Sequence, residues 1–259
     1  MRELGFGLST ELDPGSATYS PVALFAGGEA GFYFDPSVLS SLFQERTGGS
    51  ATTPAVVDGV VGTMLDLSGN GNHATAPSDA ARPILKQSGG LYYLQFDGVN
   101  DCLVFDGSDL VGTTYTVAAA WEQLTDPTGV NRIVIGGTTA VNNAAMLIGW
   151  PAVNTTIRFG HFGNVINYTT AGLWGSSPRN VATGLLTGTG KVLRTNGVQR
   201  ATDAVSTQLS GFAGAAIGRI QTTFADVAFY GAIGRDTTTT GGDLTDLEMY
   251  LARKSGVSF

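Results

Sequence analysis

Cysteine is nearly missing: the 259 residues include one, Cys102. A lone thiol closes no internal bridge, and a chain of this length buries enough surface to stand without disulfides. Cys102 lies in the apolar run Cys102-Leu103-Val104-Phe105, which makes it a small buried hydrophobe and not a nucleophile. Histidine is as scarce. His73 and His161 have no Cys or His at ligand spacing, so they read as a turn residue and a strand residue. Charge is thin, 14% of the chain, with 14 Lys+Arg against 21 Asp+Glu and a net charge of -7. With no basic cluster to displace phosphate counterions, nucleic acid is excluded as a partner and anionic membranes are disfavoured. No segment reaches the ~18 apolar residues of a spanning helix, so membrane insertion is not expected. Residues 1–10 lack a basic stretch followed by an apolar one, so no signal peptide is expected and synthesis in a cytoplasm is.

What is abundant is glycine, 37 residues, together with threonine, a composition that favours short strands and tight turns over helical bundles. Strands are predicted at 22–26, 32–34, 92–96, 102–105, 115–123, 132–135, 145–150, 156–162, 165–169, 180–186, 191–194, 215–220 and 225–233, most of them bounded by Gly, Asn, Asp or Pro. From residue 91 onward nothing between them reads as a crossover helix. The expected fold is therefore all-β, an antiparallel two-sheet jelly-roll sandwich. Asp35-Pro36 predicts a short helical start running through Leu42 and Phe43, and residues 44–60 read as a loop. One longer helix closes the chain. Asp243 is its expected N-cap, Leu244, Leu247 and Leu251 share a face, and Gly256 stops it. Residues 1–20 have no period and read as an extended arm, with residues 21–259 as a single sandwich domain.

Three stretches carry a family resemblance: Asp66-Leu67-Ser68-Gly69-Asn70-Gly71-Asn72-His73-Ala74, Arg82-Pro83, and Leu94-Gln95-Phe96-Asp97-Gly98-Val99-Asn100-Asp101. They resemble the entry segment of concanavalin A-like (laminin-G-type) jelly-roll domains. Thr195-Asn196-Gly197-Val198, Ala216-Ile217-Gly218-Arg219, Phe224 to Ile233 and the closing helix extend the likeness over residues 21–259. A narrower likeness, carried by Ser20 to Glu29, Gly31 to Pro36, Leu42-Phe43-Gln44 and Gly62 to Asp66, is to the lead-in of this domain in bacteriophage and prophage virion proteins. The resemblance implies a virion protein made in the host cytoplasm, its arm attached to other virion proteins and its sandwich facing outward. It would act as a tail or fibre component meeting host-surface glycan, or as a capsid decoration protein. A homo-oligomer, a trimer, is what such appendages imply.

Tests for chemistry favour scaffolding. Asp66, Ser68, Asn70 and Asn72 partly imitate a calcium loop, but its twelfth position is Pro77 and not a bidentate Glu, so the segment reads as a turn and neither metal nor cofactor is expected. The glutamates (Glu3, Glu11, Glu29, Glu45, Glu122, Glu248) offer no Glu-x-Asp-x-Glu strand of the kind sandwich glucanases use. A non-enzymatic module is expected, with a polysaccharide depolymerase centred on Glu122 as the alternative. For glycan binding, flat rings must lie beside polar groups. Trp150, Tyr168 and Trp174, at predicted strand ends, are the candidates, and Trp121 is assigned to the core.

Overall fold

The computed structural model describes residues 19–176 and 178–259, so the expected arm falls outside them except for Tyr19 and Ser20. The strands in chain order are β1 (Gly31–Phe34), β2 (Leu42–Phe43), β3 (Thr63–Met64), β4 (Ala74–Thr75), β5 (Ile84–Ser88), β6 (Leu91–Asp97), β7 (Leu103–Phe105), β8 (Thr114–Gln123), β9 (Arg132–Gly137) and β10 (Met146–Trp150). They continue with β11 (Thr156–His161), β12 (Asn164–Thr169), β13 (Arg179–Thr187), β14 (Lys191–Thr195), β15 (Val198–Asp203), β16 (Ala215–Ile217), β17 (Arg219–Ile220), β18 (Thr223–Phe224) and β19 (Asp226–Arg235). Two helices, α1 (Leu173–Ser176) and α2 (Gly241–Ser255), accompany them.

An eight-stranded sheet runs β15-β14-β13-β8-β19-β6-β5, with β1 added on β19, and a nine-stranded sheet runs β12-β11-β10-β9-β16-β7-β4-β3-β2. Neighbours pair antiparallel throughout both sheets, as the jelly-roll reading requires. Period-two alternation sends one set of side chains inward. Tyr115, Trp121, Phe159, Phe229 and Trp150 from the two sheets meet there in a continuous core. Cys102 is buried and burial pushes its thiol up, in keeping with its place in an apolar run.

The outer face of the eight-stranded sheet is covered by α2. Leu247, Leu251 and Ala252 pack on Ala118, Ala120, Val181, Ala228 and Ile233. The small β8 side chains let the helix lie close, and Leu247 and Leu251 each gain about 2 kcal/mol by leaving water. Two ion pairs fix the helix: Arg194 Nε lies 2.7 Å from Glu248 and Lys254 Nζ 3.0 Å from the buried Asp35. The N-cap is Thr240 where Asp243 was expected. Asp243 instead sits in the first turn, where the dipole favours it, and Gly256 ends the helix in the left-handed conformation at φ 72. Among the described residues no helix is long and apolar enough to cross a membrane.

Three local expectations are corrected. Residues 22–26 do not form a strand: Pro21–Phe25 is a 3-10 turn, because Pro21 has no amide to give a ladder and its fixed φ suits a first turn. The helix expected after Pro36 shrinks to Leu39–Ser41. Asp35 does accept the Ser37 amide at 2.8 Å, but Leu42–Phe43 then pairs with β3. The strand expected over 215–220 breaks at Gly218, whose φ of 78 turns β17 and β18 away as a separate hairpin.

Candidate functional site

That hairpin helps to enclose a cavity. In β10–β12 the register sends Met146, Ile148, Ile157, Phe159 and Ile166 into the core and leaves Leu147, Arg158 and Val165 on the opposite face. Ile133 of β9 joins them, and Ile220 of the hairpin closes over the group. The hairpin can lie this close because residue 136 is glycine: a Cβ there would stand 2.8 Å from Arg219 O and 3.0 Å from Ile220 Cβ. The Gln221 amide, donating to Gly137 O at 2.8 Å, ties the turn down.

The result is a cavity of about 310 Å³. Ile133, Leu147, Val165 and Ile220 supply an apolar floor, Phe162 an aromatic wall, and Asn131, Arg158, Gln221 and Thr223 polar groups at the margin. Arg158 stands opposite Asn167 in the ladder and donates from Nε to Asn167 Oδ1 at 2.8 Å. Burial pulls its pKa below the usual guanidinium range. An apolar bed with a few fixed polar groups suits a small amphipathic ligand such as a sugar ring.

None of the aromatic residues singled out from sequence lines this cavity. Trp150 is fully buried between the sheets and offers no ring face to solvent. Tyr168 is half-buried on β12, under the Arg200 guanidinium at 5.0 Å, and Trp174 is half-buried in α1, against the rim of the core. Phe162 and Arg158 were overlooked, although an arginine within Thr156-Ile157-Arg158-Phe159 was a visible irregularity in an apolar strand.

A second cleft, about 490 Å³, opens on the far side of the sandwich and includes Tyr93, Glu122, Arg179, Tyr230 and Ser88. Glu122 accepts from Arg179 Nε at 2.9 Å and from Tyr230 Oη at 3.2 Å, while the Arg179 guanidinium lies 5.2 Å from the Tyr230 ring centre. The Asp66 to Asn72 segment is organised as a turn. The Asp66 carboxylate accepts from the amides of Tyr33 (2.8 Å), Ser68 (2.9 Å) and Asn72 (3.0 Å) and from Ser68 Oγ (2.7 Å), and Asn72 Nδ2 donates to Gly31 O at 2.8 Å. His73 Nδ1 accepts the Asp66 amide at 3.1 Å. The motif that carries the family resemblance thus locks the loop to β1.

No family model matches the chain, and no curated protein matches it in sequence. Solved structures do. Domain 4 of AbnA, a GH43 extracellular arabinanase from Geobacillus stearothermophilus in complex with arabinotriose, is 13% identical with a TM-score of 0.56, covering 71% of this chain and 92% of that one. A GH54 α-L-arabinofuranosidase is 11% identical with a TM-score of 0.64 over 92% of this chain and 66% of its own. The binding domain of botulinum neurotoxin DC in complex with SialylT is 11% identical with a TM-score of 0.52, over 73% and 49%. These identities make the likeness one of fold. The class so defined is a β-sandwich shared by carbohydrate-binding and glycoside hydrolase domains and by a toxin binding domain. None of the named neighbours is a virion protein.

The expectation of a non-enzymatic module is corrected by these neighbours, since the same sandwich overlays on arabinofuranosidase chains over 92% of this one. Lack of a Glu-x-Asp-x-Glu strand does not decide the matter. Glycoside hydrolysis needs two carboxyl groups flanking a bond in space, and separate strands or loops supply them as well as one strand does.

Proposed function

We propose that this protein is a bacteriophage virion component, of a tail or fibre, whose sandwich binds a saccharide of the host surface. The observation that carries the binding role is the cavity beneath the β17–β18 hairpin, with its apolar floor, Phe162 wall and polar margin. Arabinotriose in the AbnA domain complex and SialylT in the toxin-domain complex support a saccharide as the ligand class. The virion role is supported by the sequence resemblance of residues 20–66 alone. Immobilised host polysaccharide should retain the wild-type protein, and Leu147→Asp, which puts a charge in the cavity floor, should abolish retention with the circular dichroism spectrum unchanged. Equal retention of both proteins would overturn the reading. Density for this chain at the tail in a map of an intact particle tests the placement, and density on the capsid would favour a decoration protein instead.

The arabinofuranosidase neighbours favour a second reading, hydrolysis of a glycosidic bond, with Glu122 in the Tyr93–Tyr230 cleft as the acid to test. Release of reducing ends from host polysaccharide, lost in Glu122→Gln, would support it. No release from wild type would remove it.

A further inference from the structure

We infer that the cavity beneath the β17–β18 hairpin takes a saccharide carrying a carboxylate, with the Arg158 guanidinium as its counter-ion. The inference rests on the saccharide reading of this cavity and adds the chemical class of the ligand. Its basis is the setting of that guanidinium, which lines an apolar cavity with no acid beside it. Arg46, Arg82, Arg179, Arg194 and Arg235, with Lys86, Lys191 and Lys254, each have a carboxylate within salt-bridge reach. Among the described residues Arg132, Arg158, Arg200, Arg219 and Arg253 make no such pair; of these Arg158 is the one that lines the cavity, and no Asp or Glu lines it.

Arg158 is also half-buried, and burial alone shifts its pKa, downward, with no neighbouring charge to offset it. A guanidinium in such a place stays charged and keeps its desolvation cost until an anion arrives. Its Nε is committed to Asn167, which leaves the terminal amino groups for a ligand. A planar carboxylate fits that planar fork. Leu147, Val165 and Ile220 beside it are suited to the C–H face of a ring, so carboxylate and ring are recognised together.

D-glucuronate and D-glucose differ at C6 alone and make a matched pair of probes. Titrated into the 15N-labelled full chain, both should move the amide signals of Leu147, Val165 and Gln221, and glucuronate should bind at least tenfold more tightly. Arg158→Gln should bring glucuronate to the affinity of glucose. Equal affinities in the unmodified protein would overturn the carboxylate while keeping the saccharide reading, and that comparison decides the matter even if Arg158→Gln does not fold. Acetate shifting these signals as strongly as glucuronate would overturn both, because the ring would then contribute nothing. Glucose 6-sulfate binding more tightly than glucuronate would also overturn the carboxylate assignment.

Discussion

Tyr115 Oη and His161 Nε2 lie 2.9 Å apart in a hydrogen bond that crosses from the eight-stranded sheet to the nine-stranded one, and both side chains are fully buried. Burial, followed by the nearby Lys191 ammonium, pushes the His161 pKa down from 6.5 to about 4. Above pH 6.5 the ring is neutral in folded and unfolded chains alike. As pH falls from there toward 4, the unfolded chain takes up a proton that the folded one refuses, so stability drops. The loss should reach on the order of 3 kcal/mol across that window. Denaturant midpoints measured from pH 7.5 to 4 should fall, and His161→Gln should flatten the slope.

Asp101 works in the opposite sense. Burial, then the Asp97 charge, raises its pKa from 3.8 to about 6, although its carboxylate accepts the Asp97 amide at 3.1 Å. The stability tied to this raised value is present below pH 3.8 and lost as pH rises through about 6, so at neutral pH Asp101 is a cost. Asp101→Asn keeps an acceptor for that amide without the charge. It should raise the melting temperature at pH 7.5 by about 3–6 °C, corresponding to on the order of 1–2 kcal/mol, and change it little at pH 4. Calorimetry at the two pH values checks this.

Gly184 of β13 faces the Phe159 ring of β11 across the sandwich. A Cβ at residue 184 would sit 2.1 Å from Phe159 Cδ2, with other ring atoms at 2.2 and 2.5 Å. Gly184→Ala should destabilise by about 1–3 kcal/mol through overpacking. Phe159→Leu in the same chain should recover part of the loss, so a double-mutant cycle by urea denaturation should show a favourable coupling energy.

Trp150 and Trp174 should separate stability from surface effects. Trp150→Ala removes a fully buried core side chain and should cost about 3–5 kcal/mol, so any loss of saccharide binding would come with a loss of fold. Trp174 lies in a short helix at the rim, and Trp174→Ala should cost less than half as much by the same denaturation measurement.

Much of the fold was legible because most long strands declare themselves by alternation and by Gly or Asn at their ends. The strand predicted over 115–123 is observed as Thr114–Gln123 and that over 132–135 as Arg132–Gly137. Among those that escaped are strands with little or no apolar signature of their own. Val198–Asp203 is an exposed edge strand of largely polar residues, and Thr63–Met64 and Ala74–Thr75 are too short to show a period, existing because the sheet offers them partners. The cavity was illegible for a different reason. Leu147, Arg158, Val165 and Ile220 come from four elements, and only the register of β10–β12 and the fold-back at Gly218 bring them together.

β19 pairs with β8, β6 and β1 at the centre of its sheet, yet it is the last strand in chain order. During synthesis the hub of the sheet therefore leaves the ribosome after nearly everything it joins, and β8 and β6 wait with unsatisfied edges until residues 226–235 emerge. Such distant pairings make folding slow, in the millisecond-to-second range typical of sandwiches of high contact order. A nascent chain halted before residue 226 would leave β8, β6 and β1 with adhesive edges, so efficient production depends on completing translation quickly.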